Sequence, residues 1–182
     1  MENIWSNDKI SLRQTTPEDI ELFIDESGNY NTDTMKRFDY IDLPRSKEHL
    51  ISSIEKTMTG DKDDFSFTIL NKNNEKVGYI TVFDCDRRNG TFKYGIFIKD
   101  NYKGKGYAFE SVKIVLNYYF NELRYNKVNV YIYDYNVPSI KFHEKLGFIF
   151  EGRLRQMAYS GGEFHDTIYY GMLKSEFNKS NS

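Results

Sequence analysis

The sequence has almost no cysteine and little histidine. Cys85 is the single cysteine, so an internal disulfide and a cysteine-rich zinc module are both excluded. No sequence neighbour supplies a base that would make Cys85 a nucleophile, and we expect it in the core. The three histidines, His49, His143 and His165, lack the i, i+4 spacing of a helical metal-binding pair. We therefore expect a protein that works without a metal ion.

Long apolar runs are also missing. No run of about 18 apolar residues occurs, which argues against a membrane-spanning helix. The N-terminus has no basic segment followed by an apolar one, so we expect the protein in the cytoplasm. With 182 residues, 39% of them hydrophobic, and only three prolines, the composition is that of a globular protein, and we predict one domain over residues 1–182.

Neither sign of charge is in large excess. The sequence has 25 Lys and Arg against 27 Asp and Glu, a net charge of −2, which argues against a nucleic-acid partner. The signs are unevenly spread, because residues 1–64 carry 15 acidic against 8 basic residues and residues 65–182 carry 12 against 17. Two interpretations stay open: solvated helix faces that happen to be acidic, or an early segment that faces a cationic substrate and a later one that faces an anion.

The first third of the chain alternates between strand and helix patterns. Ile10–Arg13 alternates as a strand, and Thr16-Pro17-Glu18-Asp19 is typical of a helix start, which predicts a helix to about Glu26. Ser46 can cap a second helix, because apolar residues recur at helical spacing between positions 50 and 58. Gly28–Arg45 shows no sustained period and is a candidate binding loop.

Strand patterns dominate the middle of the chain. Phe65–Leu70, Val77–Phe83 and Thr91–Ile98 are predicted to form an antiparallel meander. A long amphipathic helix then separates Thr91–Ile98 from the next strand, Val128–Tyr133. Because a whole helix connects these two strands, they can lie side by side and run parallel.

The last third predicts a helix and a hairpin. Asn136 can cap a shorter helix that ends at Leu146-Gly147. The final strands, around Phe148–Tyr159 and Phe164–Met172, are joined by a glycine turn, and the polar tail Asn178–Ser182 is expected to fray. The whole order predicts a mixed α/β fold.

A glycine loop is the first segment whose spacing implies chemistry. Lys103-Gly104-Lys105-Gly106-Tyr107-Ala108 leaves a predicted strand and enters the long helix, so its backbone N–H groups can converge on an anion at the positive helix end. The loop lacks the Gly-Lys-Ser/Thr of a Walker A motif and the third glycine of the dinucleotide fingerprint. From the loop alone, a phosphate site and a purely structural turn both stay open.

A second motif follows the loop by about 30 residues, and it runs Asn-Val-Pro-Ser-Ile-Lys-Phe-His-Glu-Lys-Leu-Gly-Phe from Asn136 to Phe148. Together the two segments resemble the GNAT superfamily of acetyl-CoA-dependent N-acetyltransferases. The family's Arg/Gln-x-x-Gly-x-Gly/Ala is similar to Lys103-x-x-Gly106-x-Ala108, and its Asn-x-x-Ala/Ser…Tyr-Glu-Lys-Leu-Gly-Phe is similar to the second segment. The resemblance covers about residues 10–177, and its ending is most similar to the ribosomal-protein N-terminal acetyltransferases, with spermidine acetyltransferases as a close alternative.

The resemblance implies a fold and a cosubstrate. The fold is a mostly antiparallel seven-stranded sheet with a central parallel pair, flanked by about four helices. Acetyl-CoA would lay its pantetheine between Tyr94–Ile98 and Val128–Tyr133 and rest its pyrophosphate on the glycine loop. The residues implied to contact it are Ile96, Phe97, Ile98, Lys103, Gly104, Lys105, Gly106, Tyr107, Ala108, Asn136 and Ser139.

The catalytic residue implied by the resemblance is His143. It stands where many GNAT enzymes carry a Tyr that protonates the departing thiolate, and an imidazole can act as acid or base near neutral pH. A helix histidine without catalytic duty is the alternative, just as Asn136 can be only a helix N-cap and Ser139 only a helix residue. Asp84 and Asp86 are either bases acting through water or surface carboxylates at a strand end, so no base is assigned.

The implied activity is acetyl transfer to a primary amine, most simply the N-terminal amine of a protein or peptide. A polyamine or another small amine is the alternative acceptor, and a non-catalytic acyl-CoA sensor is the alternative function. Between positions 16 and 60 there are ten acidic against five basic residues, so we expect this segment to attract a cationic acceptor. No nucleic-acid or membrane partner is expected, and a homodimer is left open.

Overall fold

Seven strands form one mixed sheet in the order β1-β2-β3-β4-β5-β7-β6. This computed structural model describes residues 3–24, 45–58 and 63–180. The strands are β1 Ile10–Gln14, β2 Phe65–Asn71, β3 Lys76–Asp86, β4 Thr91–Ile98, β5 Lys127–Tyr133, β6 Ile149–Ser160 and β7 Glu163–Leu173. β4 and β5 pair in parallel and the other neighbours pair antiparallel, which confirms the predicted central parallel pair.

Helices cover both faces of the sheet. They are α1 Lys47–Met58, α2 Tyr107–Asn117, α3 Val137–Leu146 and α4 Lys174–Ser180, with 3-10 helices at Pro17–Leu22 and Asp100–Tyr102 and a π-helical turn at Tyr118–Glu122. Ser46 caps α1 as predicted, since its Oγ accepts a hydrogen bond from the His49 N–H (3.2 Å). In the described ranges, no helix combines the length and the apolar character that a membrane span requires.

Two helix predictions are corrected. The helix predicted to about Glu26 is a 3-10 helix that ends at Leu22, and the buried Asp19 lies in its first turn. The structure differs from the expectation of a frayed tail at its first residues, and residues 181–182 lie outside the described part of the chain. Asn178–Ser180 continue α4, which is anchored by Phe177 packing at 5.5 Å, centroid to centroid, on Phe120.

The main core lies on the face of the sheet that α2 and the π-helical turn cover. Phe92 of β4 is fully buried and its ring lies 4.8 Å from that of Tyr119 and 5.7 Å from that of Phe120. A smaller cluster of Ile20, Leu50 and Ile54 joins the first 3-10 helix to α1. Each helical layer thus buries an apolar stripe against the sheet, which lies between the two layers.

Asp19 is a buried ionic anchor between the first 3-10 helix and the sheet. Its side chain is 0% exposed, and its carboxylate accepts two hydrogen bonds from Arg13 (2.7 Å each), one from Thr68 Oγ1 (2.8 Å) and one from the Thr16 N–H (3.0 Å). Lys76 Nζ lies 2.9 Å from Oδ1. Burial on its own raises the pKa of Asp19, but the hydrogen bonds from Arg13 and Lys76 outweigh it and hold the pKa well below its ordinary value.

Asp19→Asn should therefore lower the free energy of unfolding by about 2–4 kcal/mol, because it leaves two cations without their shared carboxylate. The matched control is Glu151→Gln in the partly exposed pair with Lys127 (2.7 Å), which should cost less than about 1 kcal/mol. The wild-type contribution of Asp19 is complete above the unfolded pKa of about 3.9 and is lost as the pH falls below it. Urea unfolding followed by the fluorescence of Trp5 measures both variants, and equal losses would contradict the assignment.

Candidate active site

β4 and β5 pair only at their first residues and then part. The parallel register joins Thr91 to Lys127, Phe92 to Val128 and Lys93 to Asn129, after which no pairing between the two strands is recorded in the described stretch 63–180. On their outer sides, β4 stays paired with β3 and β5 with β7 to their ends. The sheet therefore opens as a wedge at the carboxyl ends of its two parallel strands.

The wedge leaves backbone groups that a ligand can pair with. Beyond these pairs, Tyr94–Ile98 of β4 and Val130–Tyr133 of β5 form no ladder with each other in the described residues. Because buried backbone groups need hydrogen-bond partners, an extended ligand that carries amides fits this gap. The geometry thus suits the amide chain implied by the sequence motifs.

A cavity of about 640 Å³ fills the wedge. Eight of the sequence-predicted site residues line it: Ile96, Phe97, Ile98, Lys103, Ala108, Asn136, Ser139 and His143. The other four, Gly104, Lys105, Gly106 and Tyr107, continue the loop but do not line the cavity. Residues from two strands, a loop and α3 therefore meet at one cavity.

The glycine loop ends at the N-terminus of α2. Gly106 is the N-cap residue with φ +83°, and Gly104 has φ +76°, both in the left-handed region that favours glycine. The Lys103 ammonium pairs with Asp100, and the Lys105 ammonium lies 5.1 Å from the centroid of the Tyr102 ring. Backbone donors at a helix N-terminus beside lysines fit a phosphorylated ligand.

His143 projects from α3 into the buried interior beside the cavity. The imidazole is 5% exposed, and its Nδ1 lies 2.8 Å from the carbonyl oxygen of Ser139. A carbonyl only accepts, so Nδ1 carries the proton and Nε2 holds a free lone pair. Nε2 is buried and has no hydrogen-bond partner in the described ranges. Burial lowers the pKa of His143 to about 4, against the opposing effect of the Ser139 hydrogen bond.

Tyr94 is a site residue that the sequence analysis missed. It lines the same cavity, is 5% exposed, and its ring centroid lies 5.8 Å from that of His143. Its hydroxyl is buried without a hydrogen-bond partner among the described residues. Burial raises the pKa of Tyr94 well above its ordinary value, so the group is a neutral hydrogen-bond donor. No sequence signal separates this Tyr from an ordinary core aromatic of a strand.

Asn136 and Ser139 are held by the start of α3. The Asn136 side chain accepts a hydrogen bond from the Ser139 N–H (3.3 Å), which is the N-cap role that the sequence also allows. Ser139 Oγ lies 3.4 Å from His143 Nδ1. Both side chains line the cavity as well, so capping and ligand contact are compatible at these positions.

A second cavity of about 200 Å³ adjoins the first and shares five lining residues with it, all beside the parting of β4 and β5. Four aromatic residues contribute to its lining: Tyr79, Phe83, Tyr94 and Tyr131. Lys93 also lines it, with Nζ 3.0 Å from Asp84 Oδ2 and 5.9 Å from the centroid of the Tyr131 ring. Two compartments that meet in this way can hold two reactants against each other.

The carboxylates that line either cavity are already paired in the described part of the chain. Glu21 lies 2.7 Å from Lys76 Nζ, and Asp100 pairs with Lys103. Asp86 accepts a hydrogen bond from the Asn89 N–H in its own turn, and Asp84 pairs with Lys93. Both aspartates at the strand end are thus engaged at the surface. No group of three or more His, Cys, Asp and Glu side chains in the described ranges is arranged to hold a metal ion.

Cys85 is half-buried against the main core, as expected. Burial raises the pKa of its thiol to about 12, with the hydrogen bond to Asp64 acting in the same direction. A thiol with so high a pKa is a poor nucleophile at neutral pH. Two other expectations fall partly or wholly outside the described residues: the Gly28–Arg45 binding loop, of which only Arg45 is described, and the acidic acceptor side at 16–60, of whose ten acidic residues five lie within 25–44.

The chain matches a known family and curated relatives over most of its length. The family described as Acetyltransferase (GNAT) domain matches residues 9–149. An uncharacterized N-acetyltransferase of the SPbeta prophage, YokL of Bacillus subtilis strain 168, is 39% identical over 173 residues, 95% of this chain and 94% of its own. YdaF of the same organism, provisionally named a ribosomal N-acetyltransferase, is 32% identical over 100 residues, which is 55% of each chain.

Solved structures share the architecture. A crystal structure of spermidine N-acetyltransferase from Vibrio cholerae, in complex with CoA and spermine, superposes with a TM-score of 0.83 and covers 94% of this chain and 99% of its own. The identity is 20%, so this likeness shows the fold. The seven-stranded sheet with its central parallel pair is therefore an arrangement that known acetyltransferase structures share.

Proposed function

Since the chain belongs to the GNAT acetyltransferases, we propose that it transfers the acetyl group of acetyl-CoA to the N-terminal α-amine of a peptide or protein. Acetyl-CoA is the cosubstrate of this family and supplies an acetyl thioester when bound. Residues 1–182 act in this proposal as one N-acetyltransferase domain, because β6 and β7, which lie mostly beyond the family match, pair into the same sheet.

The observation that carries the choice of acceptor is the buried, neutral His143. An imidazole with a pKa of about 4 is a weak base, so it cannot take a proton efficiently from a strongly basic ammonium group. At pH 7.5 roughly a third of an α-amine with a pKa near 7.8 is already neutral, against roughly 0.1% of an amine with the Lys value of 10.4. A site with a weak base therefore favours an α-amine over a polyamine.

The second cavity supports the same choice. A polyamine brings two or more further ammonium groups, and the described carboxylates that line either cavity face lysines instead of standing free. Lys93 also lines the second cavity, and its ammonium is already paired with Asp84, so this pair brings no free carboxylate for a second ammonium. A peptide carries one ammonium, and its carbonyl groups can accept hydrogen bonds from Lys93.

Within this proposal the chain's own residues divide the work. The backbone of Ile96, Phe97 and Ile98 binds the pantetheine amides, and residues 103–108 bind the pyrophosphate. His143 Nε2 accepts a proton from the attacking amine, since the proton on Nδ1 is committed to Ser139. Tyr94 donates a hydrogen bond toward the reacting group. The proton-donor role for His143 that the resemblance implies stays a prediction. The tautomer with its proton on Nδ1 favours the role of proton acceptor at Nε2.

An acceptor screen with release of the CoA thiol as readout tests the proposed function. We expect peptides with a free N-terminus to exceed spermidine and spermine in kcat/KM by about tenfold or more at pH 7.5, and the same peptides with a blocked N-terminus to give no turnover. The peptide kcat/KM should rise with pH and level off near the α-amine pKa of about 8. Faster turnover of polyamines than of every free peptide would overturn the proposal.

His143→Ala should lower kcat by roughly 10²–10³-fold while the CoA dissociation constant from calorimetry stays within about threefold. The matched control is His49→Ala, which removes an imidazole from an exposed position on α1 and should leave kcat unchanged. A loss below about threefold in a folded His143→Ala protein would leave this histidine with a structural role only.

Gly106→Val should weaken CoA binding by about tenfold or more, because a side chain at the N-cap of α2 obstructs the approach of phosphate to the backbone donors. Gly162→Val in the β6–β7 turn is the matched control. Gly162 also has a left-handed φ, +90°, but open space around it, so it shares the backbone strain without the obstruction. Equal CoA affinities of the two folded variants in calorimetry would refute the phosphate-loop assignment.

A further inference from the structure

Three lysines surround the glycine loop, and they differ in what their ammonium groups contact. Lys103 Nζ pairs with Asp100, and Lys105 Nζ lies over the Tyr102 ring. Lys9, which precedes β1, has no carboxylate within salt-bridge distance of its Nζ in the ranges that the structure describes. Of the three, Lys9 is therefore the cation that can meet an anion without first leaving a partner.

The Lys9 ammonium lies directly over the loop. A Cβ atom added to Gly106 would lie 3.1 Å from Lys9 Nζ, closer than an ordinary van der Waals contact. Gly106 is the N-cap of α2, so the ammonium lies beside the helix end whose first N–H groups lack helical partners. A side chain at Gly106 would push the ammonium out of this position by a few tenths of an ångström.

The turn that carries Lys9 is held against α2 by specific contacts. Asn7 Oδ1 accepts hydrogen bonds from the backbone N–H groups of Lys9 (2.9 Å) and Ile10 (3.0 Å), and Asn7 Nδ2 donates to Glu110 Oε2 of α2 (2.9 Å). Upstream, the Trp5 ring lies 4.5 Å from that of Tyr118, centroid to centroid. The backbone at Lys9 is thus held by Asn7 within the turn and by Trp5 upstream of it.

We propose that Lys9 binds the pyrophosphate of acetyl-CoA, as a phosphate ligand from outside the glycine loop. The inference rests on the proposed placement of the pyrophosphate at residues 103–108. In this arrangement the α2 N-terminus presents backbone N–H donors from one side and the Lys9 ammonium closes over the same anion from the other. An ammonium on a flexible stem acts here as a point charge, which suits a pyrophosphate that carries two charges.

Lys9→Met tests this assignment, because methionine keeps an unbranched stem and removes only the charge. Calorimetry with CoA should show binding weakened by about tenfold, the effect of one lost charge-assisted contact. Dephospho-CoA, which retains the pyrophosphate, should show the same ratio of dissociation constants between variant and wild type. Pantetheine, which lacks the pyrophosphate, should bind both proteins equally. The matched control is Lys179→Met on α4, the helix that follows β7. The end of β7 at Leu173 pairs with the start of β5, so α4 lies at the opposite end of the sheet from the glycine loop.

The outcomes separate this inference from the proposed function. If wild type binds CoA and Lys9→Met binds it equally well, the Lys9 assignment is wrong and the rest of the site stands. A loss with CoA that disappears with dephospho-CoA places Lys9 on the 3′-phosphate and also overturns the assignment. If wild type fails to bind CoA at all, the proposed function itself fails. Trp5 fluorescence gives a second binding signal from the segment that carries Lys9, and the thermal midpoint of each variant verifies its fold.

Discussion

The parting of β4 from β5 is the constraint on which the rest of the site depends. Three parallel residue pairs hold the two strands together, and beyond Lys93 and Asn129 the described residues form no further ladder between them. In a parallel sheet such a gap leaves several backbone hydrogen bonds unmade, and a ligand that carries amides can form them instead. The same gap brings the residues of α3 and the glycine loop to one cavity and lets a second compartment open onto it.

Burial sets the chemistry inside that gap. His143 and Tyr94 are close neighbours, and each holds a polar atom that meets no partner within the described ranges. Such atoms are costly in a core and are retained where a ligand or a reaction satisfies them. Desolvation acts on both groups in the direction of the neutral form, so the pair offers one acceptor and one donor without net charge.

Much of this arrangement could be predicted from the sequence, because it depends on local patterns. Apolar alternation predicts the strands, and the two motifs predict that the glycine loop and the start of α3 lie together. Contacts between distant segments could not be predicted. Lys9 and Gly106 meet although about 100 residues separate them, and Tyr94 becomes a site residue only because α3 places His143 beside it. The start of the first helix was predicted, but not its 3-10 form or the inward position of Asp19, which is set by Arg13 of β1 and Lys76 of β3.

The short β4–β5 seam also divides the sheet into two leaves, β1–β4 and β5-β7-β6, whose direct ladder is three residue pairs long. Within each leaf the ladders run the full length of most strands. In the proposed binding mode, a cosubstrate chain in the gap would replace the missing ladder and join the leaves where the protein does not. Folding and binding are linked in such a molecule, and its stability follows RT ln(1 + [L]/Kd). In a cell, the supply of acetyl-CoA would thereby set how long the enzyme survives as well as how fast it works.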